Sequence, residues 1–307
     1  MDDSRQLGAQ SGAAFSRSAE PEILPPGENP PNRGWYPPPD QQRYTQAPRP
    51  RRPRGQMPGW AFAPATYVLC GINCAVYLAM VLSGVSFWEP TLAQLIHWGG
   101  NNGAYVIAGN QWWRLITAMF VHVGIIHIAT NIWCLWNLGL LAEPLMGRLG
   151  VVAAYLMTGF AGNLLSVIVH PGVAHGVNNA LIIVDPFRTG AGASGAIFGL
   201  AGVLIVLLKS PLLPLPKGEL KRLRRSVIFF AFINLAIGLY TVVGPSPIRI
   251  DNMAHLGGFL SGLALGLPLV PKIGAAKPFF ERRMRWGIWG GTFLLLLLTF
   301  GVYSFWH

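Results

Sequence analysis

The stretch GAGASGAIFGLAGV, residues 190–203, sets the hydroxyl of Ser194 between glycines at the mouth of an apolar run. A serine hydroxyl is a weak nucleophile until a neighbouring base takes its proton. The chain offers a base in DNMAHLGGFLSGLALG, where His255 opens a second apolar run. A third stretch, HVGIIHIATN, holds His127 and Asn131 four residues apart, on one face of a helix. Both side chains donate hydrogen bonds, which suits the negative charge that develops on oxygen during acyl transfer. His122 lies five residues before His127, points elsewhere on any continuous helix, and is read as a supporting or loop residue.

Each pattern alone also fits a plain structural role. A GxSG in a membrane helix serves helix packing, and a histidine among apolar residues is a satisfied polar contact in some proteins and a functional group in others. The His-x4-His spacing lacks the Glu of H-E-x-x-H and has no acid beside either histidine, so neither a metal nor another cofactor is expected. Asp185 and Asp251 fall in loops rather than mid-span, which argues against an aspartyl protease working within the membrane. What decides between these readings is whether the three stretches meet.

The apolar runs must bring them together. Hydrophobic residues make up 52% of the 307-residue chain and charged residues 11%, against roughly 25% charged in a soluble domain. That deficit marks a membrane protein, whose surroundings are the lipid bilayer. The net charge of +11 sits in clusters between apolar runs, not on one basic face, so a nucleic-acid partner is not expected. A hydrocarbon core of ~30 Å calls for about 20 apolar residues in a helix. Candidate spans are about 66–86, 123–142, 149–169, 194–208, 225–243, 253–270 and 286–306. The sequence thus predicts an all-α, polytopic fold with seven spans.

Orientation follows from Lys and Arg in the loops. Arg49, Arg51, Arg52 and Arg54 precede span 1, Arg148 follows span 2, and Lys209, Lys217, Lys221, Arg222, Arg224 and Arg225 separate spans 4 and 5. Lys272, Lys277, Arg282, Arg283 and Arg285 separate spans 6 and 7, whereas the alternate loops carry only Arg114, Arg188 and Arg249. This pattern predicts a cytoplasmic N-terminus and an external C-terminus in the cell membrane. Spans 2, 4 and 6 then all run inward, so His127, Asn131, Ser194 and His255 arrive at one level. Span 4 rises only about 22 Å over its 15 residues, so its N-terminus should stop below the outer boundary. A helix N-terminus brings free N–H groups and positive potential to that point. Gly258, Gly262 and Gly266 on span 6, with Gly195, Gly199 and Gly202 on span 4, are small partners that allow the two backbones to approach closely.

Residues 1–58 are a separate block, rich in Pro, Gly, Gln and Arg and nearly empty of branched apolar residues, and are read as a disordered cytoplasmic tail. Two roles stay open for it, a flexible leader and a docking segment for a cytoplasmic partner. The tail has no apolar h-region of a signal peptide, and its acidic residues argue against a mitochondrial presequence. Cys70, Cys74 and Cys134 all fall within apolar runs and are read as small core residues. The 87–122 loop, with Trp88, Trp98, Trp112 and Trp113, reads as an interfacial element.

At these motifs the sequence resembles the rhomboid family of intramembrane serine proteases, over about residues 60–270. WWRLITAMFVH resembles the family's Trp-Arg loop at Trp113 and Arg114; HVGIIHIATN, GASG and AHLGGFLSG resemble its remaining motifs in the same order. The resemblance implies a six-helix core (60–270) with one added C-terminal transmembrane helix (286–306). It implies Ser194 as nucleophile, His255 as general base with no acid member, and His127, Asn131 and the Ser194 N–H as oxyanion donors, supported by His122. Glu143 and Arg148, in AEPLMGRLG, resemble a structural inner-loop element. Where many members carry Tyr one turn after the nucleophile, this chain has Phe198, which keeps ring stacking on His255 and loses a hydroxyl. The implied reaction is hydrolysis of a peptide bond near the outer end of a single-pass substrate's transmembrane helix. The alternative is a catalytically silent rhomboid-like protein that binds membrane clients.

Overall fold

The structure, a computed structural model, describes residues 63–210, 213, 216–243, 250–268 and 277–307. The expected tail (1–58), its arginines, Arg249, Lys272 and the end of span 6 lie outside the described residues. Within the unit of residues 56–307, the architecture is helical. Its elements are α1 (Pro64–Leu82), the short helices α2 (Leu92–His97), α3 (Gly103–Ile107) and α4 (Arg114–Thr117), α5 (Ile125–Val169), α6 (Ser194–Leu207), α7 (Lys217–Val243), α8 (Asn252–Gly266) and α9 (Lys277–Trp306). Strands β1 (Val173–His175) and β2 (Leu181–Ile183) pair antiparallel between α5 and α6, with Ala174 opposite Ile182. Nothing in the sequence analysis anticipated this ribbon.

By length and composition, four described helical segments are able to cross a membrane: Pro64–Leu82, Ile125–Val169, Lys217–Tyr240 and Pro278–Trp306; α6 is a shorter apolar helix. The 45 residues of α5 would span about 68 Å if straight. They do not run straight, because Gly147 breaks the helix at φ 74°, ψ 170°. Both ends of α5 consequently lie at one end of the bundle: His127 packs on Gly192, and Ser166 bonds to Asp251, which itself abuts Gly190. Residues 125–146 and 148–169 are two antiparallel arms, matching the separate spans read from the sequence.

Helix α6 is the centre of the bundle. Every residue from Gly195 to Leu207 is buried, as befits a helix that is apolar all round. It packs on α8 and α5 through backbone approaches that exclude any side chain. A Cβ on Gly258 would lie 2.0 Å from the Gly195 carbonyl oxygen, and one on Gly262 2.1 Å from that of Gly199. The expected small-residue seam between spans 4 and 6 is therefore present at Gly195, Gly199, Gly258 and Gly262. Around it lie Leu135, Leu138, Met146, Tyr155, Leu200 and Leu204.

Polar braces fix the periphery. The buried Glu143 carboxylate accepts from the N–H groups of Ala65 (3.0 Å) and Thr66 (2.8 Å) and from the Thr66 hydroxyl (2.8 Å). It thereby satisfies orphan donors at the start of α1 and ties α1 to α5. Arg148, named with Glu143 as part of a structural inner-loop element, is exposed and makes no hydrogen bond or ion pair among the described residues. Cys70 is buried and Cys134 half-buried, but Cys74 is exposed. The core reading of Cys74 is thus corrected: the buried stripe of α1 runs through Leu69, Asn73, Tyr77 and Met80, and Cys74 lies one residue beyond it.

The 87–122 segment forms three helices of 4–6 residues. Arg114, 4% exposed, holds it together. Its guanidinium donates to the carbonyls of Ile96 (2.6 Å) and Gly100 (3.1 Å) and to Gln111 Oε1 (2.7 Å), and it lies 4.7 Å from the centre of the half-exposed Trp113 ring. The basic clusters flanking α6–α7 and opening α9 fall at the bundle end opposite Ser194. Arg114 and Arg188 fall at the same end as Ser194.

Candidate active site

The segment that delivers Ser194 is shaped before the helix starts. Gly192 has φ +123°, a conformation that glycine adopts without strain, and its N–H donates to the Ala118 carbonyl at 2.9 Å. The next N–H, that of Ala193, donates to His122 Nε2 at 3.4 Å, while His122 Nδ1 lies 3.1 Å from the Phe120 carbonyl oxygen. These partners define one neutral tautomer, with the proton on Nδ1. His122 is fully buried and braces the chain immediately before Ser194.

Ser194 opens α6, and its Oγ lies 2.8 Å from His255 Nε2. His255 is the fourth residue of α8, whose N-cap Asp251 accepts from the Ala254 N–H at 3.0 Å. The seam at Gly195 and Gly258 makes this reach possible, since each glycine adjoins or shares the helix face of its reactive neighbour. For Nε2 to accept the serine proton, Nδ1 must carry the ring's own proton. Nδ1 is buried and has no partner among the described residues, so no carboxylate completes a triad. The Phe198 ring stacks on the imidazole at 4.4 Å and 17°, fixing the plane in which Nε2 points.

His127 and Asn131 converge on the same segment. A Cβ on Gly192 would lie 3.0 Å from His127 Nε2 and 3.4 Å from Asn131 Nδ2. His127 Nδ1 accepts from the Val123 N–H at 3.3 Å, which leaves the proton on Nε2 as a donor facing Gly192. Asn131 Nδ2 is buried and unpartnered among the described residues, a state that costs about 1–3 kcal/mol unless a ligand satisfies it. The first N–H groups of α6 likewise have no intrahelical acceptor. A hydroxyl on a base, beside aligned donors and a helix N-terminus, is the arrangement that acyl transfer calls for. The described residues contain no group of three or more His, Cys, Asp or Glu that could hold a metal ion.

Sequence reasoning missed four contributors. Gly192 hid among similar glycines, because only the folded chain shows which one must adopt positive φ. Asp251 carried a legible signal, an N-cap residue type just ahead of an apolar run. Asn101 and Asn163 carried none: Asn101 exchanges both backbone hydrogen bonds with Gly190 at 2.8 Å and donates to the Asn163 carbonyl at 3.0 Å, holding the 190–194 segment against α5.

Comparison with known proteins identifies the family. The family model of the Rhomboid domain matches residues 109–272, more than half of the chain. The chain is 30% identical over 207 residues to rhomboid protease GluP of Bacillus subtilis, covering 66% of this chain and 35% of that protein. It is 33% identical over 201 residues to the mitochondrial RHOMBOID-like protein 6 of Arabidopsis thaliana, covering 66% of this chain and 58% of that one. It is 28% identical over 231 residues to Rhomboid-like protease 2 of Toxoplasma gondii, covering 73% and 72%. The match thus takes in about a third of the length of the Bacillus relative and less than two thirds of the Arabidopsis one. With its helical, apolar architecture, the chain belongs to the rhomboid family of multi-pass membrane proteins, a family that includes intramembrane proteases.

Proposed function

We propose that the chain is an intramembrane serine endopeptidase working through a Ser194–His255 dyad. The observation that carries this reading is the 2.8 Å contact between Ser194 Oγ and His255 Nε2, formed by two helices whose glycines permit it. In the proposed cycle Oγ attacks the scissile carbonyl carbon while its proton passes to Nε2. The resulting oxyanion accepts from His127 Nε2–H, Asn131 Nδ2–H and the Ser194 N–H. His255 then hands its proton to the leaving amine, and the C–N bond breaks to leave an acyl-serine. Water, deprotonated by the same imidazole, hydrolyses that ester and restores the dyad.

The substrates are single-pass membrane proteins, cut near the outer end of the transmembrane helix. The basic clusters at the bundle end opposite Ser194 support a cell-membrane orientation with that end cytoplasmic, the N-terminus inside and the C-terminus outside. The test is covalent labelling. A fluorophosphonate probe applied to the detergent-solubilised protein should modify Ser194, identified by peptide mass spectrometry, and His255→Ala should lose that labelling while remaining folded. Labelling at another serine, or undiminished labelling of His255→Ala, would remove the dyad and leave the silent, client-binding alternative.

A further inference from the structure

The Asp251 carboxylate touches the segments that carry Ser194 and His255 and the second arm of α5, although it contacts neither reacting group. Oδ1 accepts from the Ala254 N–H at 3.0 Å and caps α8 one turn ahead of His255. Oδ2 accepts from the Ser166 hydroxyl at 2.5 Å, binding the last turn of α5 to the first turn of α8. Oδ2 also abuts Gly190, where a Cβ would come within 2.8 Å of it, on the strand-like segment that ends at Ser194. The carboxylate lines a polar cavity of about 450 Å³ together with Asp185, Arg188 and Thr189.

Resting on the dyad reading, we infer that Asp251 is a positioning residue whose negative charge, one turn from His255, supports the imidazolium formed when Ser194 gives up its proton. Residues four apart on a helix are neighbours, and the dyad has no carboxylate on His255 Nδ1 to perform this task. The charged and titratable groups around the pair are few. His127 and, through it, His122 face His255 from the α5 side, and His170, Arg188 and Asp185 surround Asp251. Arg188, which lines the same cavity, weakens the carboxylate's field without abolishing it.

The substitution that separates charge from architecture is Asp251→Asn, because asparagine caps a helix about as well as aspartate. Turnover and its pH profile should be measured for wild type, Asp251→Asn, Asp251→Ala and Ser194→Ala on one single-span substrate in bicelles, with thermal melting in parallel. Asp251→Asn should melt like wild type, lose roughly three- to tenfold in kcat at unchanged KM, and carry its acidic limb to lower pH, since a less supported imidazolium forms only at higher proton concentration. Asp251→Ala should lose more and melt lower. An Asp251→Asn enzyme with wild-type kcat and pH profile would overturn the charge role and leave a cap. Cleavage that survives Ser194→Ala would instead overturn the dyad reading, whatever Asp251 does.

Discussion

Replacing Gly258 by alanine should separate the base from the nucleophile. The added methyl would sit 2.0 Å from the Gly195 carbonyl oxygen and 2.8 Å from its carbon. A carbon–oxygen contact relaxes only at about 3.3 Å, so α8 must withdraw by about 1.3 Å at this level, and the opposing atoms are backbone that cannot swing aside. Gly258 lies on the face of α8 that carries His255. If the withdrawal is shared by that turn, the Nε2···Oγ distance opens from 2.8 Å to about 4 Å, beyond hydrogen-bond range. A misplacement of ~1 Å at reacting groups costs about 10²-fold, and overpacking costs about 1–3 kcal/mol of stability. The assay is kcat on a fluorogenic single-span peptide in bicelles, alongside the melting temperature. Gly258→Ala should lose about two orders of magnitude in kcat while still melting cooperatively. Gly71→Ala, where the new methyl meets nothing within 4 Å, should be indistinguishable from wild type. Full turnover by Gly258→Ala would refute the claim that glycine contact sets the dyad distance.

Three further outcomes follow from other contacts. His127→Ala and Asn131→Ala should each lower kcat by up to about 10²–10³-fold with little change in KM, since one oxyanion donor is worth about 2.7–4 kcal/mol, and the double variant should lose less than the sum if both serve one oxygen; a rise in KM alone would make them substrate-binding groups. Glu143→Ala, which strands three donors at the start of α1, should destabilise by about 2–4 kcal/mol in a denaturation series while sparing labelling of the folded fraction. Phe198→Leu removes the ring stacked on His255, an interaction worth about 0.5–1.5 kcal/mol, and should lower kcat severalfold with no change in labelling site.

Much of the site was readable before the fold because its chemistry depends on local spacing. Ser194 within GASG, His255 ahead of glycines at i+3 and i+7, and the His127–Asn131 pair all declare a helix face by number alone. The alternation of spans predicted which helices run in the same direction, and that parity placed the four groups at one end. What stayed hidden depends on contacts distant in sequence. Glu143 caps a helix 77 and 78 residues away, and no local pattern announces that partner. The break at Gly147 fell between two apolar runs and was legible as a span boundary, whereas the β1–β2 ribbon occupies a loop whose alternation is too short to read. Cys74 was misjudged because apolar composition says that a helix is buried or in lipid, not which of its faces meets protein.

The most direct test of the central claim is cleavage of a single-span substrate by purified protein in liposomes, comparing wild type with Ser194→Ala at equal folded concentration. Wild type should release two fragments joined at one peptide bond near the outer end of the substrate helix, and Ser194→Ala should release none above background. Equal cleavage by the two proteins would contradict the account, because Ser194 is the one hydroxyl against His255 Nε2 among the described residues.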